Sequence, residues 1–169
     1  EYTLANIEYI GGFIGYANRV NISNCYATGR VQSNTAKITL PANQIGLSAG
    51  GFIGRLEKVN VDPEIINCYA VVVTKTSGDA INNNVNCKEF IGSTSLPLGN
   101  SPLFATCYYA KGFAENNANN DGLNTPKTHD ITANAVVYYD LIKQTTFKGY
   151  DFNQTWAVEN ANTLPLLTW

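Results

Sequence analysis

Histidine, the side chain best suited to acid–base catalysis near neutral pH, occurs once in this chain of 169 residues, as His129. Asp130 follows it, but no serine or cysteine lies in the sharp strand-to-helix turn that presents a nucleophile in hydrolases. The sequence also contains no His-Glu-x-x-His run of the kind found in zinc peptidases. We interpret His129 as a solvated loop residue and assign no catalytic residue; a nucleophile–histidine pair is the minor alternative.

Carboxylates offer a second route to catalysis, since pairs of Asp or Glu perform acid–base chemistry on glycosidic bonds. The candidate acids in loops and turns are Asp62, Glu64, Asp79, Asp121, Asp130, Asp140 and Asp151. The internal repeats do not place two of these acids at equivalent positions, so their spacing does not support a close pair. Solvated surface acids are the favoured interpretation, and a small carbohydrate-active β-helix enzyme is the alternative.

The weak candidate for a metal site is the run that contains Asn117, Asn119 and Asp121, which partly matches the start of a calcium-binding loop. Thr128 stands where the closing bidentate Glu is needed, and one carboxylate supplies too little negative charge for calcium. Zinc binding by cysteines is disfavoured because the sequence contains no Cys-x-x-Cys pair. We therefore expect an Asn/Gly turn, without a metal or a cofactor.

Two sequence blocks recur three times, and they determine where the remaining candidate residues lie. The first block, Gly-Gly-Phe-Ile-Gly, contains Phe13, returns around Phe52 and is reduced to Glu-Phe-Ile-Gly around Phe90, with steps of 39 and 38 residues. The second block, Asn-Cys-Tyr-Ala, contains Cys25, returns at Cys68 and is altered around Cys107. Two linked blocks that recur in the same order indicate a protein built from stacked units.

Both blocks are short, rich in strand formers and bounded by turn residues, which predicts β-strands. Cys25, Ala27 and Val31 fall on one side of such a strand, where small apolar side chains would fill a narrow interior. The predicted fold class is all-β: a parallel, right-handed β-helix or solenoid of irregular coils. We expect one domain over residues 1–169, and its three repeats are predicted at 7–33, 46–73 and 88–113.

The polar stretches between the blocks are predicted to be turns or loops, at residues 32–44, 74–88 and 93–102. The third repeat lacks the double glycine and is expected to be the least regular coil.

Residues after the third repeat follow a different pattern. An Asn-rich stretch predicts a loop at 114–130, and an imperfect apolar stripe predicts a short helix at 132–143 with Thr132 as its cap. An aromatic segment at 146–169 contains Trp156 and Trp169 and is expected to form two strands that close the end of the stack.

Cys25, Cys68 and Cys107 would stack on successive coils, about 4.8 Å apart. That separation is within the Cα range of a disulfide, but parallel Cβ vectors disfavour the required geometry. We prefer buried free thiols that act as small apolar side chains, with a disulfide as the alternative. Cys87 has no equivalent cysteine in the other repeats and is also expected to be free.

The tyrosines that follow these cysteines are the candidate ligand-binding residues. If each cysteine points inward, Tyr26, Tyr69 and Tyr108 point outward and form a ladder on one face. Such a face combines apolar area with polar tips and is suited to sugar rings or protein partners. The alternative is that the stacked rings stiffen the sheet or lie under a loop.

These blocks resemble the bacterial GLUG repeat, in which a Gly-Gly-Leu-Val-Gly stretch precedes an Asn-Ser/Cys-Tyr-Ala-Thr-Gly-x-Val stretch. The closing segment and the short helix before it are similar to those that end such arrays. The resemblance implies a parallel β-helix on a secreted or cell-surface protein. Repeats of this kind occur in adhesin-like proteins and beside immunoglobulin-A-type peptidase domains, and they carry no catalytic residues. Phe in place of Leu, long insertions and an altered third copy are departures from the pattern.

Composition limits the function classes. Charged residues make up 14% of the chain and the formal net charge is −2, which gives no reason to expect nucleic acid as a partner. The chain has no Met and no long apolar run, so we expect no membrane insertion and a product whose targeting signal has been removed.

The favoured function is a non-enzymatic extracellular module for adhesion, display or spacing. Glycans or host or neighbouring surface proteins are the expected partners. Self-association through the solenoid ends, which would form filaments, is a further alternative.

Overall fold

A computed structural model describes residues 8–33, 47–57, 63–76, 85–95, 104, 106–116 and 133–168. Coil 1 contains β1 (Glu8–Gly11), β2 (Ile14–Asn18), β3 (Asn21–Ser23) and β4 (Tyr26–Ser33). Coil 2 contains β5 (Leu47–Gly50), β6 (Ile53–Glu57), β7 (Glu64–Ile66) and β8 (Tyr69–Thr76). Coil 3 contains β9 (Val85–Lys88), β10 (Ile91–Thr94), β11 (Tyr108–Ala110) and β12 (Ala114–Asn116).

Equivalent strands of successive coils pair in parallel. β1, β5 and β9 form one sheet, and β2, β6 and β10 form a second sheet. β3 pairs with β7, while β8 pairs with β4, β11 and β12. The prediction of an all-β parallel solenoid is thereby confirmed, while the right-handed sense of its coils stays a prediction.

Asparagines form the corner before β4 and β8. Asn24 and Asn67 both have φ of 52°, a left-handed conformation that asparagine tolerates better than most residues. The Asn67 Nδ2 donates to Asn24 Oδ1 at 3.3 Å, so the two corners are bonded to each other. Coil 3 has the β-branched Thr106 at this position, and its Oγ1 accepts a 2.9 Å hydrogen bond from the Asn67 backbone N–H. The corner of coil 3 therefore departs from the first two coils, as expected for the altered repeat.

The interior of the solenoid consists of small and branched apolar residues. Ala27 pairs with Ala70 and Ala17 with Leu56, and all four are buried in one cluster. Cys68 belongs to the same cluster, so the predicted inward orientation of this side of the strand is confirmed. Outward residues of β8 and β11 belong to a second apolar cluster, which also contains C-terminal residues.

The C-terminal region contains β13 (Asn134–Val136), α1 (Tyr138–Leu141), a 3-10 helix (Gln144–Thr146), β14 (Trp156–Ala157) and β15 (Leu166–Leu167). The predicted helix at 132–143 is therefore wrong over its first half. Residues Asn134–Val136 instead pair in parallel with β11, whose edge offers hydrogen bonds that outweigh a weak helical pattern. α1 begins at Tyr138 without a side-chain cap, and Thr132 lies outside the described residues.

β14 and β15 form the predicted pair of strands, but the closing segment does not lie across the end of the stack. Trp156 contacts Tyr26 of coil 1 and Tyr69 of coil 2, while Phe147 contacts Tyr69 and Tyr108 of coil 3. The segment therefore runs along the side of the solenoid and touches all three coils. Trp169 lies outside the described residues.

The loop boundaries predicted from polar composition are too wide. Strand β12 occupies the first residues of the predicted loop at 114–130, and β9 begins at Val85 rather than at the predicted repeat start of 88. Both stretches are polar in composition, and composition does not distinguish a polar strand from a loop. In the described part of the chain, no helix has the length and hydropathy that a membrane crossing requires.

Candidate functional site

The predicted tyrosine ladder exists. Tyr26 pairs in register with Tyr69, and Tyr69 pairs with Tyr108. The rings of Tyr26 and Tyr69 are stacked, with centroids 5.2 Å apart and planes 8° from parallel. The β-helical register thus aligns one tyrosine per coil on the outer face of β4, β8 and β11.

The closing segment covers this ladder. Trp156 lies 5.8 Å from the Tyr69 ring, and Phe147 lies 5.2 Å from the Tyr108 ring. The Tyr69 hydroxyl donates to the Pro165 carbonyl oxygen at 2.5 Å, and the Tyr108 hydroxyl oxygen accepts a 2.9 Å hydrogen bond from the Lys148 N–H. The polar tips of both tyrosines are therefore bonded to the segment that buries the rings.

The structure therefore does not contain the exposed tyrosine face that the sequence predicted. Tyr69 is 0% exposed and Tyr108 is 5% exposed, while Tyr26 is half-buried. Burial raises the pKa of Tyr69 well above its ordinary value, which reflects a ring removed from water. The closing segment separates Tyr69 and Tyr108 from solvent, so these two rings belong to an internal packing surface.

Cys68 and Cys107 are buried inside the coils, and Cys25 at the coil 1 end is half-buried. Cys25, Cys68 and Cys107 are free thiols, as preferred on geometric grounds. The Cys68 Sγ donates to the Ile66 carbonyl oxygen and the Cys107 Sγ to the Ile65 carbonyl oxygen, each at 3.2 Å. Burial is the main cause that raises the pKa of Cys25 to about 11, which makes it a poor nucleophile at neutral pH.

Metal binding finds no support in the described residues, where no group of three or more His, Cys, Asp or Glu could hold an ion. The calcium-like run of Asn117, Asn119 and Asp121 lies outside them, as does His129.

Three of the predicted surface acids are described, and they lie apart in the fold. Glu64 is exposed on β7. Asp140 accepts a 2.6 Å hydrogen bond from Lys143 beside α1, and Asp151 accepts from the Asn153 N–H at 2.9 Å in a turn. An acid catalyst is expected to have a raised pKa, whereas the pKa of Glu57 lies below its ordinary value.

A surface cluster that sequence reasoning missed lies on β1, β2 and β6 of the first two coils. The rings of Tyr9 and Tyr16 stack with centroids 5.6 Å apart, and the Arg55 guanidinium carbon lies 5.5 Å from the Tyr9 ring centroid. Glu57 accepts hydrogen bonds from the Tyr16 hydroxyl at 2.7 Å and from Arg55 Nε at 2.6 Å. These hydrogen bonds lower the pKa of Glu57, and Tyr16 is 46% exposed. The cluster presents an aromatic surface beside an ion pair.

Part of this cluster was visible in the sequence. Aligning the two Gly-Gly-Phe-Ile-Gly blocks places Tyr16 opposite Arg55, which is the observed register. The stacking of Tyr9 on Tyr16 was not visible, because those residues belong to different strands that are brought together by the bend at Gly12 and Phe13.

A second aromatic column follows the double glycines. Phe13, Phe52 and Phe90 stack with centroid distances of 4.9 and 5.0 Å. Phe52 and Phe90 are 0% and 1% exposed, whereas Phe13 at the coil 1 end is 44% exposed. The predicted repeat positions are thus confirmed as a stack, and its outermost ring faces solvent.

Residues 6–32 match the family model of the GLUG motif. The chain contains a GLUG motif. The matched GLUG motif spans the whole of β1 to β3 and most of β4, which together form coil 1. No curated protein and no solved structure matches the chain. Coils 2 and 3 lie outside the matched range, and their pairing with the GLUG coil in parallel register identifies them structurally as further units of the stack.

Proposed function

We propose that this GLUG-repeat protein is a non-enzymatic module of a secreted or cell-surface protein, and that it acts as a rigid spacer for display. The supporting observation is that one aromatic segment binds all three coils along their length. Trp156 contacts coils 1 and 2, and Phe147 contacts coils 2 and 3. Lateral closure joins coils that otherwise contact only their neighbours, so the module responds to load as one body.

Native-state hydrogen exchange tests this rigidity. The amides of Phe52 and Tyr69 donate across the coil boundaries to Phe90 O at 2.9 Å and to Cys25 O at 3.1 Å. A single cooperative body requires both amides to exchange only through global unfolding, with the free energy measured by urea denaturation. Exchange of either amide through an opening several kcal/mol below the global value would mean that coils separate individually, and the rigid-spacer proposal would be abandoned.

Adhesion is the second candidate function, and the Tyr9–Tyr16 cluster favours it. Stacked tyrosines next to Arg55 and Glu57 combine a flat apolar surface with charged hydrogen-bonding groups, which suits a sugar or a polar protein surface. This candidate replaces the covered ladder as the site to be tested.

A glycan-array screen separates the candidates. Wild type is compared with Tyr16→Ala and with Tyr139→Ala, a matched control because Tyr139 is 71% exposed and lies outside the cluster. Saturable binding that Tyr16→Ala abolishes and Tyr139→Ala retains would establish adhesion through the cluster. The spacer proposal expects no saturable binding by any of the three proteins. Mass spectrometry of the same glycans would detect cleavage, which would favour the carbohydrate-enzyme alternative over both.

A further inference from the structure

We propose that the Tyr9–Tyr16 cluster, on the side of coils 1 and 2, binds the ring of a neutral hexose, a pyranose without a carboxylate or other charged group. This inference rests on the adhesion candidate of the proposed function and specifies the class of its ligand. Tyr16 supplies a flat apolar surface, Glu57 supplies a hydrogen-bond acceptor and Arg55 supplies hydrogen-bond donors. Each role follows from the geometry of these side chains.

The alternation of side chains along β2 and β6 places the cluster on the outer face of the solenoid. Tyr16 pairs in register with Arg55, and Ala17 pairs with Leu56. Ala17 and Leu56 are both buried in the core. Arg55 and Glu57 lie on either side of Leu56 in β6, and Tyr16 precedes Ala17 in β2. The side chains of Tyr16, Arg55 and Glu57 therefore project outward together.

The ring of Tyr16 is held at one face and at its tip. It stacks on Tyr9 with centroids 5.6 Å apart and planes 25° from parallel, and the Arg55 guanidinium carbon lies 5.5 Å from the Tyr9 centroid. The Tyr16 hydroxyl donates to Glu57 Oε2 at 2.7 Å, while Tyr16 as a whole remains 46% exposed. The C–H face of a pyranose packs well on such a ring, and little side-chain entropy is lost because the ring is already held.

Glu57 is positioned as an acceptor beside this ring. The hydrogen bonds from Tyr16 and from Arg55 lower the pKa of the Glu57 carboxyl, so it is ionised at neutral pH. An ionised carboxylate can accept about four hydrogen bonds, so about two positions remain after these bonds are made. The Glu57 side chain is 26% exposed, which leaves its free positions open to a sugar hydroxyl. The resulting hydrogen bond is charge-assisted and therefore strong.

Arg55 supplies the complementary donors. It bonds to Glu57 through Nε at 2.6 Å, and within the described residues its Nη groups form no further hydrogen bond. The Arg55 side chain is 19% exposed. Neighbouring hydroxyls of one pyranose ring can therefore meet an acceptor on Glu57 and a donor on Arg55 at the same time.

The charges of Arg55 and Glu57 compensate each other, and this disfavours a charged sugar. The Arg55 Nε and Glu57 Oε1 atoms lie 2.6 Å apart. A uronic acid carboxylate that approached Arg55 would also approach the Glu57 carboxylate, so attraction and repulsion would largely cancel. The ligand would still lose part of its hydration, which costs free energy for a charged group. A neutral hydroxyl gains its hydrogen bonds without that cost.

The size of the cluster suits a sugar better than a protein. Its accessible parts are half of the Tyr16 side chain and smaller fractions of Arg55 and Glu57. A stable protein interface requires about 800 Å² from each partner, which three partly exposed side chains do not approach. A single sugar ring covers an area of this size.

A glycan microarray of matched pairs tests the ligand class. Terminal glucose, galactose and mannose are each paired with the corresponding uronic acid, which differs only by a carboxylate in place of the hydroxymethyl group. The full chain is compared with Tyr16→Ala, Glu57→Gln and the control Tyr139→Ala, and urea denaturation verifies that each variant is folded. Glu57→Gln preserves the shape of the side chain and leaves the charge of Arg55 uncompensated.

We expect the wild type to bind the neutral member of at least one pair at least about tenfold more tightly than its uronic acid. Tyr16→Ala abolishes this binding, and Tyr139→Ala retains it. Glu57→Gln weakens binding of the neutral sugar by at least about tenfold and shifts the preference toward the uronic acid, because the charge-assisted bond is lost and Arg55 is free to attract a carboxylate.

Three outcomes would overturn the inference. A preference of the wild type for uronic acids that depends on Tyr16 would refute the neutral ligand class while leaving adhesion through the cluster intact. Binding of a neutral sugar that Tyr16→Ala retains would place the site elsewhere. Absence of binding to all three pairs would also refute the inference, and the adhesion candidate would then depend on the broader glycan screen. The rigid-spacer proposal keeps its own test by hydrogen exchange.

Discussion

Gly51 and Glu89 occupy equivalent positions in coils 2 and 3. Glu89 has a Cβ atom at the position where Gly51 has none, and coil 3 is the last coil of the stack. The carbonyl of the following coil approaches Gly51 so closely that a Cβ would lie 2.0 Å from it. Glu89 keeps its Cβ and turns its carboxylate to the Gly112 N–H. The missing second glycine in the third repeat is therefore a structural signal rather than sequence drift.

Alanine at these two positions gives a matched comparison. We expect Gly51→Ala to destabilise the fold by about 1–3 kcal/mol or more, because the new Cβ forces the coils apart. Glu89→Ala removes one exposed hydrogen bond and should change stability by about 0.5 kcal/mol or less. Urea denaturation of both variants is the measurement, and equal effects would show that the close approach at Gly51 has no energetic consequence.

Because several thiol and phenol groups are partly or fully buried, we expect the free energy of unfolding to fall at alkaline pH. Burial raises the pKa of Cys25 to about 11 from its ordinary value of 9.0, and it also raises the pKa of Tyr69 and Tyr150. Above pH 9 the unfolded chain releases protons that the folded chain retains. The free energy of unfolding is therefore unaffected by these groups below pH 9, and it falls as the pH rises toward and beyond 11.

Urea midpoints measured from about pH 7 to about pH 10.5 should decline steadily above about pH 9. Cys25→Ala should have a shallower decline, because one of the responsible groups is removed. A flat profile for the wild type over this range would contradict the assignment of these groups as buried and protonated.

At the scale of elements, the closing segment and the β4–β8–β11 sheet form the second apolar cluster together. Trp156 is fully buried against Tyr26, Tyr69 and Tyr150, and its Nε1 donates to Asn24 Oδ1 at 3.4 Å. That bond ties the C-terminal strands to the asparagine corner of the first coil. The segment is thus anchored at a position 132 residues earlier in the chain.

Trp156→Ala should therefore cost about 3–5 kcal/mol and loosen the segment from the tyrosine ladder. Hydrogen exchange should show faster exchange of the Trp156 and Thr168 amides, which bond to Asp151 O and Thr155 O, than of the Phe52 amide between coils. Tyr139→Ala is the control, with an expected change of about 0.5 kcal/mol or less. Uniform acceleration at all three amides would indicate that the segment and the coils unfold only as one body.

At the scale of the whole molecule, the two ends of the stack are chemically different. The coil 1 end exposes Phe13 and a bend with glycine, while the coil 3 end carries Glu89. A solenoid with two compatible ends would add copies head to tail without limit. Here the geometry of one end opposes that addition.

Sedimentation equilibrium tests this asymmetry on the unmodified chain. We expect no open-ended series of oligomers as concentration increases, since a second copy's tail does not fit the coil 1 end. Glu89→Gly combined with Lys88→Gly removes the Cβ contact at the bend but leaves β13 paired with the edge of β11, so this variant is also expected not to form an open-ended series. A concentration-dependent series of oligomers in the wild type would contradict the blocked end and would favour the filament alternative.

The sequence by itself determined the repeating part of this protein. Blocks that recur at nearly constant spacing must occupy equivalent places in a stack, so aligning them predicted the parallel register, the phenylalanine and cysteine columns and the tyrosine ladder. The side-chain period of two predicted that cysteine and alanine point inward and tyrosine outward. These are local rules that every coil repeats.

Only the tertiary structure decided what covers the repeats. The aromatic composition led us to expect that the C-terminal segment closes the end of the stack, which is wrong, because an apolar segment has no local preference between the end of a stack and its side. Its place on the tyrosine face follows from contacts such as Tyr69 with Pro165, which are 96 residues apart. The edge of β11 likewise made a strand of Asn134–Val136, where the local pattern indicated a helix. Long-range packing set these features, because the competing local preferences are weak.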